Sequence, residues 1–440
     1  MKKPLLLAAI PLFLAKVSSA QDNLKTQRVN LHFQQTVITQ YKPAFSAKYS
    51  GDNSLVTGEE TQTSLTTTLF GGARLWKGME GYFNTEVSGG SGLSKTLGIA
   101  GFPNGETFRV GAAEPKIYIA RLYFTQNFEW GNDKEYLTDD VNQLAGWKSK
   151  RYFKVTVGKF GMADFFDGNE FSHDARSQFM NWSLMDNAAW DYPANTRGYV
   201  FGAVAEFGQP TWALRFGYTM TTTTANGSIW DQRIGRANTQ TLEFEKRYTL
   251  GNIDQKGTVR LMAFRNNGKM GIYRDAINQA TTGNVPDVDA TQAYGRHKYG
   301  FGISADQYLT KDFGVFAKAS YNDGKTETWA FTEIDRSISL GATLKGTSWH
   351  RGDDEIGLAF VGNGISKDHR DYLAAGGYGF MLGDGKLNYS SELIAELYYK
   401  VNAYKHMVWL SPDYQFIANP GYNRDRGPVN VFSLRAHVEF

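Results

Sequence analysis

Between residues 161 and 198 the sequence sets rings beside charges: Asp164-Phe165-Phe166-Asp167-Gly168-Asn169, then Asp174, Arg176, Phe179, Trp182, Trp190, Asp191, Tyr192 and Arg197. A solvated surface loop has no use for Phe165, Phe166, Phe171, Phe179, Trp182 and Trp190, so this segment is expected to fold inward and pack. Folded inward, it would present aromatic faces next to carboxylates and guanidinia. Such an arrangement suits sugars, whose C–H faces stack on rings while their hydroxyls bridge Arg and Asp or Glu in bidentate fashion. Other chemistry finds little support. His173-Asp174 and His350-Arg351-Gly352-Asp353-Asp354 have no second histidine at ligand spacing and read as loop charge. Gly376-Gly377-Tyr378-Gly379 precedes a strand rather than a helix, which does not suit a phosphate-binding loop. No short motif supports Ser-His-Asp catalysis. The chain is not read as an enzyme, and no cofactor or metal is expected.

The elements that would position such a loop are strands. The chain ends on Val431-Phe432-Ser433-Leu434-Arg435-Ala436-His437-Val438-Glu439-Phe440, a strict alternation. Phe432, Leu434, Ala436, Val438 and Phe440 share one face, and Ser433, Arg435, His437 and Glu439 the other. A closing strand of a membrane barrel needs this pattern, because one face meets lipid and the other a wet lumen. Alternation recurs near 30–41, 61–75, 79–88, 116–128, 152–160, 199–207, 211–221, 238–248, 256–265, 297–308, 313–321, 331–344, 355–362, 387–400, 405–416 and 429–440. That is about sixteen strands, an even number as bacterial barrels require. Long connections (42–60, 89–115, 161–198, 222–237, 266–296, 363–386, 417–428) alternate with turns as short as Trp76-Lys77-Gly78 and Gly208-Gln209-Pro210. With both termini at the periplasmic side, the long loops face outward and the short turns inward. One exception is the long connection 129–151, on the short-turn side.

Charge assigns the faces. An Arg facing lipid at mid-bilayer costs about 2–4 kcal/mol, so charged positions should turn into the lumen. Arg260 then opposes lipid-facing Val259, Leu261 and Ala263, and Arg215 opposes Trp212, Leu214, Phe216 and Tyr218. Arg121 opposes Tyr118, Ala120, Leu122 and Phe124. Glu86 opposes Phe83, Thr85 and Val87, and Arg74 opposes Leu69, Gly71, Ala73 and Leu75. Glu392 and Glu396 share a face opposite Leu393, Ala395 and Leu397. The inward residues Arg435, His437 and Glu439 of the last strand are expected at the periplasmic end of the pore. A lumen carrying both signs of charge suggests a conduit for polar solutes.

The amino terminus reads as an export signal over residues 1–20. Met1-Lys2-Lys3 is basic, Leu5 to Leu14 is a short apolar run, and Ser18-Ser19-Ala20 offers small residues before a cut. Residues 21–440 then form a single barrel domain, with no repeat of 20–50 residues. Setting aside Lys2, Lys3 and Lys16 leaves 44 basic residues against 44 acidic ones, which argues against a nucleic-acid partner. The absence of cysteine removes disulfides and thiolate metal sites. After the leader no apolar run approaches the roughly 20 residues of a membrane helix. Aromatic residues at 14% and 47 glycines suit aromatic girdles and tight turns.

Leu382-Gly383-Asp384-Gly385-Lys386-Leu387-Asn388-Tyr389, followed by Glu392, Glu396, Tyr398 and Tyr399, resembles the carboxyl-terminal signature of the carbohydrate-selective porins of the OprB family. So do Ser411-Pro412-Asp413-Tyr414-Gln415-Phe416-Ile417-Ala418-Asn419-Pro420-Gly421-Tyr422, Arg426-Gly427-Pro428 and the segment Phe179-Met180-Asn181-Trp182. The resemblance is dense over 355–440 and patchy over 60–220. It implies an all-β, transmembrane antiparallel barrel of about sixteen strands in the outer membrane, passing monosaccharides such as glucose by facilitated diffusion. It also implies an eyelet of charged lumen residues and an inward loop. By face and position the eyelet candidates are Arg74, Glu86, Arg121, Asp167, Arg176, Trp182 and Arg215. Implied partners are carbohydrate solutes, outer-membrane lipid and, through Phe440, the barrel-assembly machinery. A general-diffusion porin, a channel for another polar solute, and an outer-membrane enzyme or adhesion barrel are the alternatives. The stretches 129–151 and 266–296 match no pattern of the family.

Overall fold

In a computed structural model that describes residues 26–251, 255–281, 283–329 and 332–440, one antiparallel sheet closes on itself. The expected export signal at 1–20 lies outside the described residues. The strands are β1 (Val29–Lys42), β2 (Glu60–Trp76), β3 (Met79–Gly90), β4 (Lys116–Leu137), β5 (Gly146–Phe160) and β6 (Val200–Gln209). They continue as β7 (Trp212–Met220), β8 (Asn238–Thr249), β9 (Lys256–Met270), β10 (Ala293–Tyr308) and β11 (Phe313–Asn322). The circle completes with β12 (Arg336–Gly346), β13 (Arg351–Gly364), β14 (Glu392–Tyr404), β15 (Val408–Ala418) and β16 (Val429–Glu439). Every strand pairs with its sequence neighbours, and β16 closes on β1 through the register Gln34↔Glu439 to Tyr41↔Phe432. Phe440 extends the seam: its N–H donates to the Phe33 carbonyl at 3.0 Å, and the two rings stack 5.0 Å apart.

All sixteen alternating segments are strands, because one face of each is apolar and outward and the other polar and inward. Leu69, Leu75, Phe83, Leu214, Phe216, Leu393, Leu397, Phe432 and Leu434 are exposed on the outside. Glu86, Arg260, Glu392, Glu396 and Arg435 are buried inside. Eight long loops leave one end of the barrel, and seven turns together with both strand termini occupy the other.

Four expectations need correcting. Strand β4 carries a bulge at Ala120, where Asn84↔Arg121 gives way to Thr85↔Ile119. The extra residue shifts the alternation by one, so Tyr118 faces the lumen and Ala120 is buried, while Ile117 and Ile119 take the lipid side. Leu122 and Phe124 remain outward. The connection 129–151 is no loop: β4 and β5 run on as a hairpin past the barrel, paired to Leu137↔Gly146, around a turn at 138–145. The segment 331–344 becomes a strand only from Arg336, so 323–335 is an eighth long loop. Finally, Arg435 does not stay at the turn end of the pore. Its Nη1 donates to the Ala175 and Gln178 carbonyls, at 2.8 and 2.6 Å, and so holds the loop 161–199.

That loop lies inside the barrel. Polar side chains of the wall supply its backbone with partners that water would otherwise supply. Glu396 accepts from the Met180 and Asn181 N–H groups at 2.5 and 3.0 Å. Glu243 accepts from the Asp167 N–H at 2.7 Å. Lys318 donates to the carbonyls of Ser172 and Leu184, at 2.6 and 3.2 Å. Its rings complete the anchorage: Phe179 packs edge-on to Tyr398 at 4.9 Å, and Phe171 to Tyr308 at 4.8 Å. A short helix, α1 (Trp182–Met185), is capped by Asn181, whose side chain accepts from the Ser183 N–H. The other loops gather above it around α2 (Tyr273–Gln279) and α3 (Lys367–Ala374), burying Phe102, Trp190, Tyr372, Leu382 and Tyr422 together.

Candidate functional site

Among the described residues, two adjoining chambers open in the lumen, one toward the loop end and one toward the turn end. Glu106, Arg121, Ala163, Asp164, Arg176 and Met185 line both, and therefore mark the neck between them. Two guanidinia build this neck. Arg121, on β4, forks onto Asp164: Nε to Oδ2 at 2.7 Å and Nη2 to Oδ1 at 2.6 Å. Asp164 is itself fixed by the Gly161 N–H at 2.8 Å. Arg176 reaches from the inward loop to the opposite wall, donating from Nε to Glu106 at 2.8 Å and from Nη2 to Glu86 at 3.0 Å. Its Nη1 donates to Gln34 and Thr68, at 3.0 and 3.2 Å.

Paired in this way, the charges sit in the neck without a large net field. Burial disfavours the Arg176 cation, but Glu106 and Glu86 outweigh it and hold its pKa well above the ordinary value. Glu86 also accepts from the hydroxyls of Tyr118 and Tyr199, the latter at 3.0 Å. The bulge at Ala120 is what brings Tyr118 into this set.

Above the neck the wall is aromatic. Trp182 stacks on Phe102 with centroids 5.2 Å apart and planes 10° from parallel. Arg121 lies over the Tyr199 ring at 5.2 Å, and Arg197 lies over Phe108 at 4.3 Å and Tyr118 at 5.3 Å. Below the neck, Arg215 sits within 2.8–3.2 Å of Glu206, Glu243 and Glu245. The arrangement offers rings above, forked donors and acceptors where the two chambers meet, and a charged exit below.

A family model described as the carbohydrate-selective porin, OprB family, matches residues 52–440. The chain belongs to that family. Its fold is that of a solved relative, the high-pH structure of Pseudomonas putida OprB, with a TM-score of 0.71 over 94% of each chain at 17% identity. The outer-membrane channel DcaP of Acinetobacter baumannii is more distant, with a TM-score of 0.51 at 12% identity over 94% of this chain and 97% of that one. No curated protein sequence matches this chain.

The seven residues singled out in this porin's sequence divide by position. Arg121 and Arg176 form the neck, and Glu86 backs it. Trp182 lines the chamber above and Arg215 the chamber below. Arg74 lies at the turn end, donating to Glu80 at 3.0 Å and to the Ala145 carbonyl at 3.5 Å. Asp167 is sealed between loop and wall, accepting from the Asn187 side chain at 2.8 Å. Glu106 escaped the sequence reading because a lone carboxylate in a Gly/Pro-containing loop carries no periodic signal. Tyr118 escaped because the bulge reversed its face.

Proposed function

We propose that this chain is an outer-membrane porin through which monosaccharides such as glucose cross by facilitated diffusion. The observation that carries the reading is the neck itself. Asp164 and Arg121, and Arg176 between Glu86 and Glu106, offer paired donors and acceptors directly beneath the rings of Trp182, Tyr199 and Tyr118. A sugar ring can stack in the upper chamber and exchange its water for these partners as it passes. Because the cations and anions are paired, a polar neutral solute is favoured over an ion of either sign. The loop end faces outward and the turn end faces the periplasm in this reading. Residues 1–20 act as the export signal, and Phe440 as the mark read by the assembly machinery. Outer-membrane lipid covers the apolar belt.

Liposome swelling and planar-bilayer recording test the proposal. Proteoliposomes are expected to swell faster in glucose than in amino acids of similar size, and glucose is expected to reduce the ion current. Equal swelling in all small solutes would make the chain a general-diffusion porin instead. An absence of conductance would end both readings.

A further inference from the structure

On the outside of β8, β9 and β10 the lipid-facing side chains change character at one level of the sheet. Leu242, Ala263 and Phe301 are paired across the three strands and are apolar. One step toward the loop end, the paired residues are Gln240, Arg265 and Tyr299, and one step further Asn267 lies opposite His297. Lys269 follows on the same exposed face of β9. Arg265 has no carboxylate partner among the described residues. Its Nη2 instead lies 3.3 and 3.4 Å from the two imidazole nitrogens of His297, its plane stands over the Tyr299 ring at 5.9 Å, and its Nε has no acceptor. The lipid-facing positions of β8 to β12 carry no Asp or Glu.

A cation on the lipid face is costly at mid-bilayer and tolerated near the interface, so Arg265 marks the level of the lipid headgroups. Arg265 at that level, His297 one step above it and Lys269 one step above that face outward beside an aromatic ring, with no carboxylate partner among the described residues, and their donors suit an anion from the bilayer. We infer that the outer rim of β8–β10 binds the phosphate groups of an anionic outer-leaflet glycolipid. Its acyl chains would lie on Leu242, Ala263 and Phe301, while Arg265, Lys269 and His297 hold the headgroup. This site is on the opposite side of the wall from the sugar path, and it rests on the outer-membrane reading of the barrel.

The test is native mass spectrometry of the purified full-length porin titrated with lipid A carrying two phosphates. The same glycolipid stripped of phosphate, and inorganic phosphate alone, are the comparison probes. The porin is expected to retain the phosphorylated lipid, to release the stripped one, and to keep its lipid in millimolar inorganic phosphate. Arg265→Gln is expected to weaken retention about fivefold, and the pair Arg265→Gln with His297→Gln more so, while Arg265→Lys retains it. All variants should keep the heat-modifiable mobility of a folded barrel and normal sugar block of the current. Equal retention of both glycolipids, retention by the double variant as by the parent, or displacement by inorganic phosphate would each overturn the inference. A porin that holds the lipid but passes no sugar would instead overturn the sugar reading alone.

Discussion

Arg121 and Arg176 look alike in the sequence, yet their donors are spent differently. Arg176 gives all three nitrogens to four acceptors on β1, β2, β3 and the loop 91–115. Arg121 gives two to Asp164, and its Nη1 has no partner among the described residues. Arg176 is therefore a post that holds the loop to the wall and balances Glu86 and Glu106, whereas the Arg121–Asp164 pair, whose carboxylate is the most exposed of the neck, turns a donor and an acceptor edge toward a passing hydroxyl. Arg121→Ala is expected to weaken glucose block of the current about tenfold or more, since a hydrogen bond from a charged donor contributes about 1.5–3 kcal/mol, with a smaller shift toward cations than Arg176→Ala because one carboxylate, Asp164, loses its counter-charge. Arg176→Ala is expected to do the reverse in kind, making the pore cation-selective because two carboxylates lose their counter-charge. Reversal potentials in a salt gradient, recorded with sugar titrations, separate the two. Identical phenotypes would mean that the neck does not divide labour in this way. Arg121 was legible in the sequence because it stood alone on an otherwise apolar and aromatic strand, and Arg176 because it lay in a loop whose rings required it to fold inward. Their division of labour was not, since it depends on Glu106 and Tyr118, which periodicity cannot place.

At the scale of elements, the strands were readable because lipid and water impose opposite demands on alternate residues. Reading failed where that demand stops. Beyond Trp130 the hairpin leaves the bilayer, the register slips between Trp130 and Lys134, and Gly131-Asn132-Asp133 resembles a turn in the sequence. Its true turn, 138–145, folds back to the barrel mouth. Asn30 donates to Asp139 at 2.9 Å and to the Gln143 carbonyl at 2.9 Å, His32 lies 3.0 Å from Asp139, and Asn84 donates to Asn142 at 2.9 Å. Gln27 and Ala145 are bonded both ways, at 2.9 Å each. Asn142 and Gln143 also line the lower chamber, so the strap stands in the exit path. Replacing Asn30 and Asn84 by Ala is expected to free the strap, raising single-channel conductance and its low-frequency noise while the sugar affinity of the neck is preserved. Conductance traces indistinguishable from the parent would show that the strap does not limit flow.

For the molecule as a whole, closing the barrel is only half of the fold; the loops must also be packed over it, and buried charge does much of that packing. His369 of α3 lies 3.0 Å from Asp335 and 3.5 Å from Glu333, and stacks on Tyr273 of α2 with centroids 4.4 Å apart. Burial works against the imidazolium, but Asp335 and Glu333 outweigh it and lift its pKa to about 9. Glu327, on the neighbouring loop, is pushed up to about 8, chiefly by burial. The signs agree. A histidine whose packed pKa exceeds its free value of about 6.5 contributes its full stabilisation below that pH and loses it as the pH rises through 9. A carboxyl held in its neutral form is likewise favoured when packed at low pH, and that advantage fades as the pH rises from about 4.5 through 8. Asp335, held below the usual carboxylate range against burial by His369, opposes this only in acid. The loop assembly should therefore loosen between about pH 6.5 and 9, by an amount on the order of 3 kcal/mol from His369, while the strands below are untouched. Hydrogen exchange of peptides covering 365–374 and 323–329, corrected for intrinsic rates, is expected to accelerate across that window, with peptides from β14 and β15 unchanged. His369→Asn should abolish most of the pH dependence at 365–374. Protection that stays constant from pH 6 to 10 would mean that apolar contacts around Tyr273 and Tyr372, rather than the charged cluster, hold the loops down.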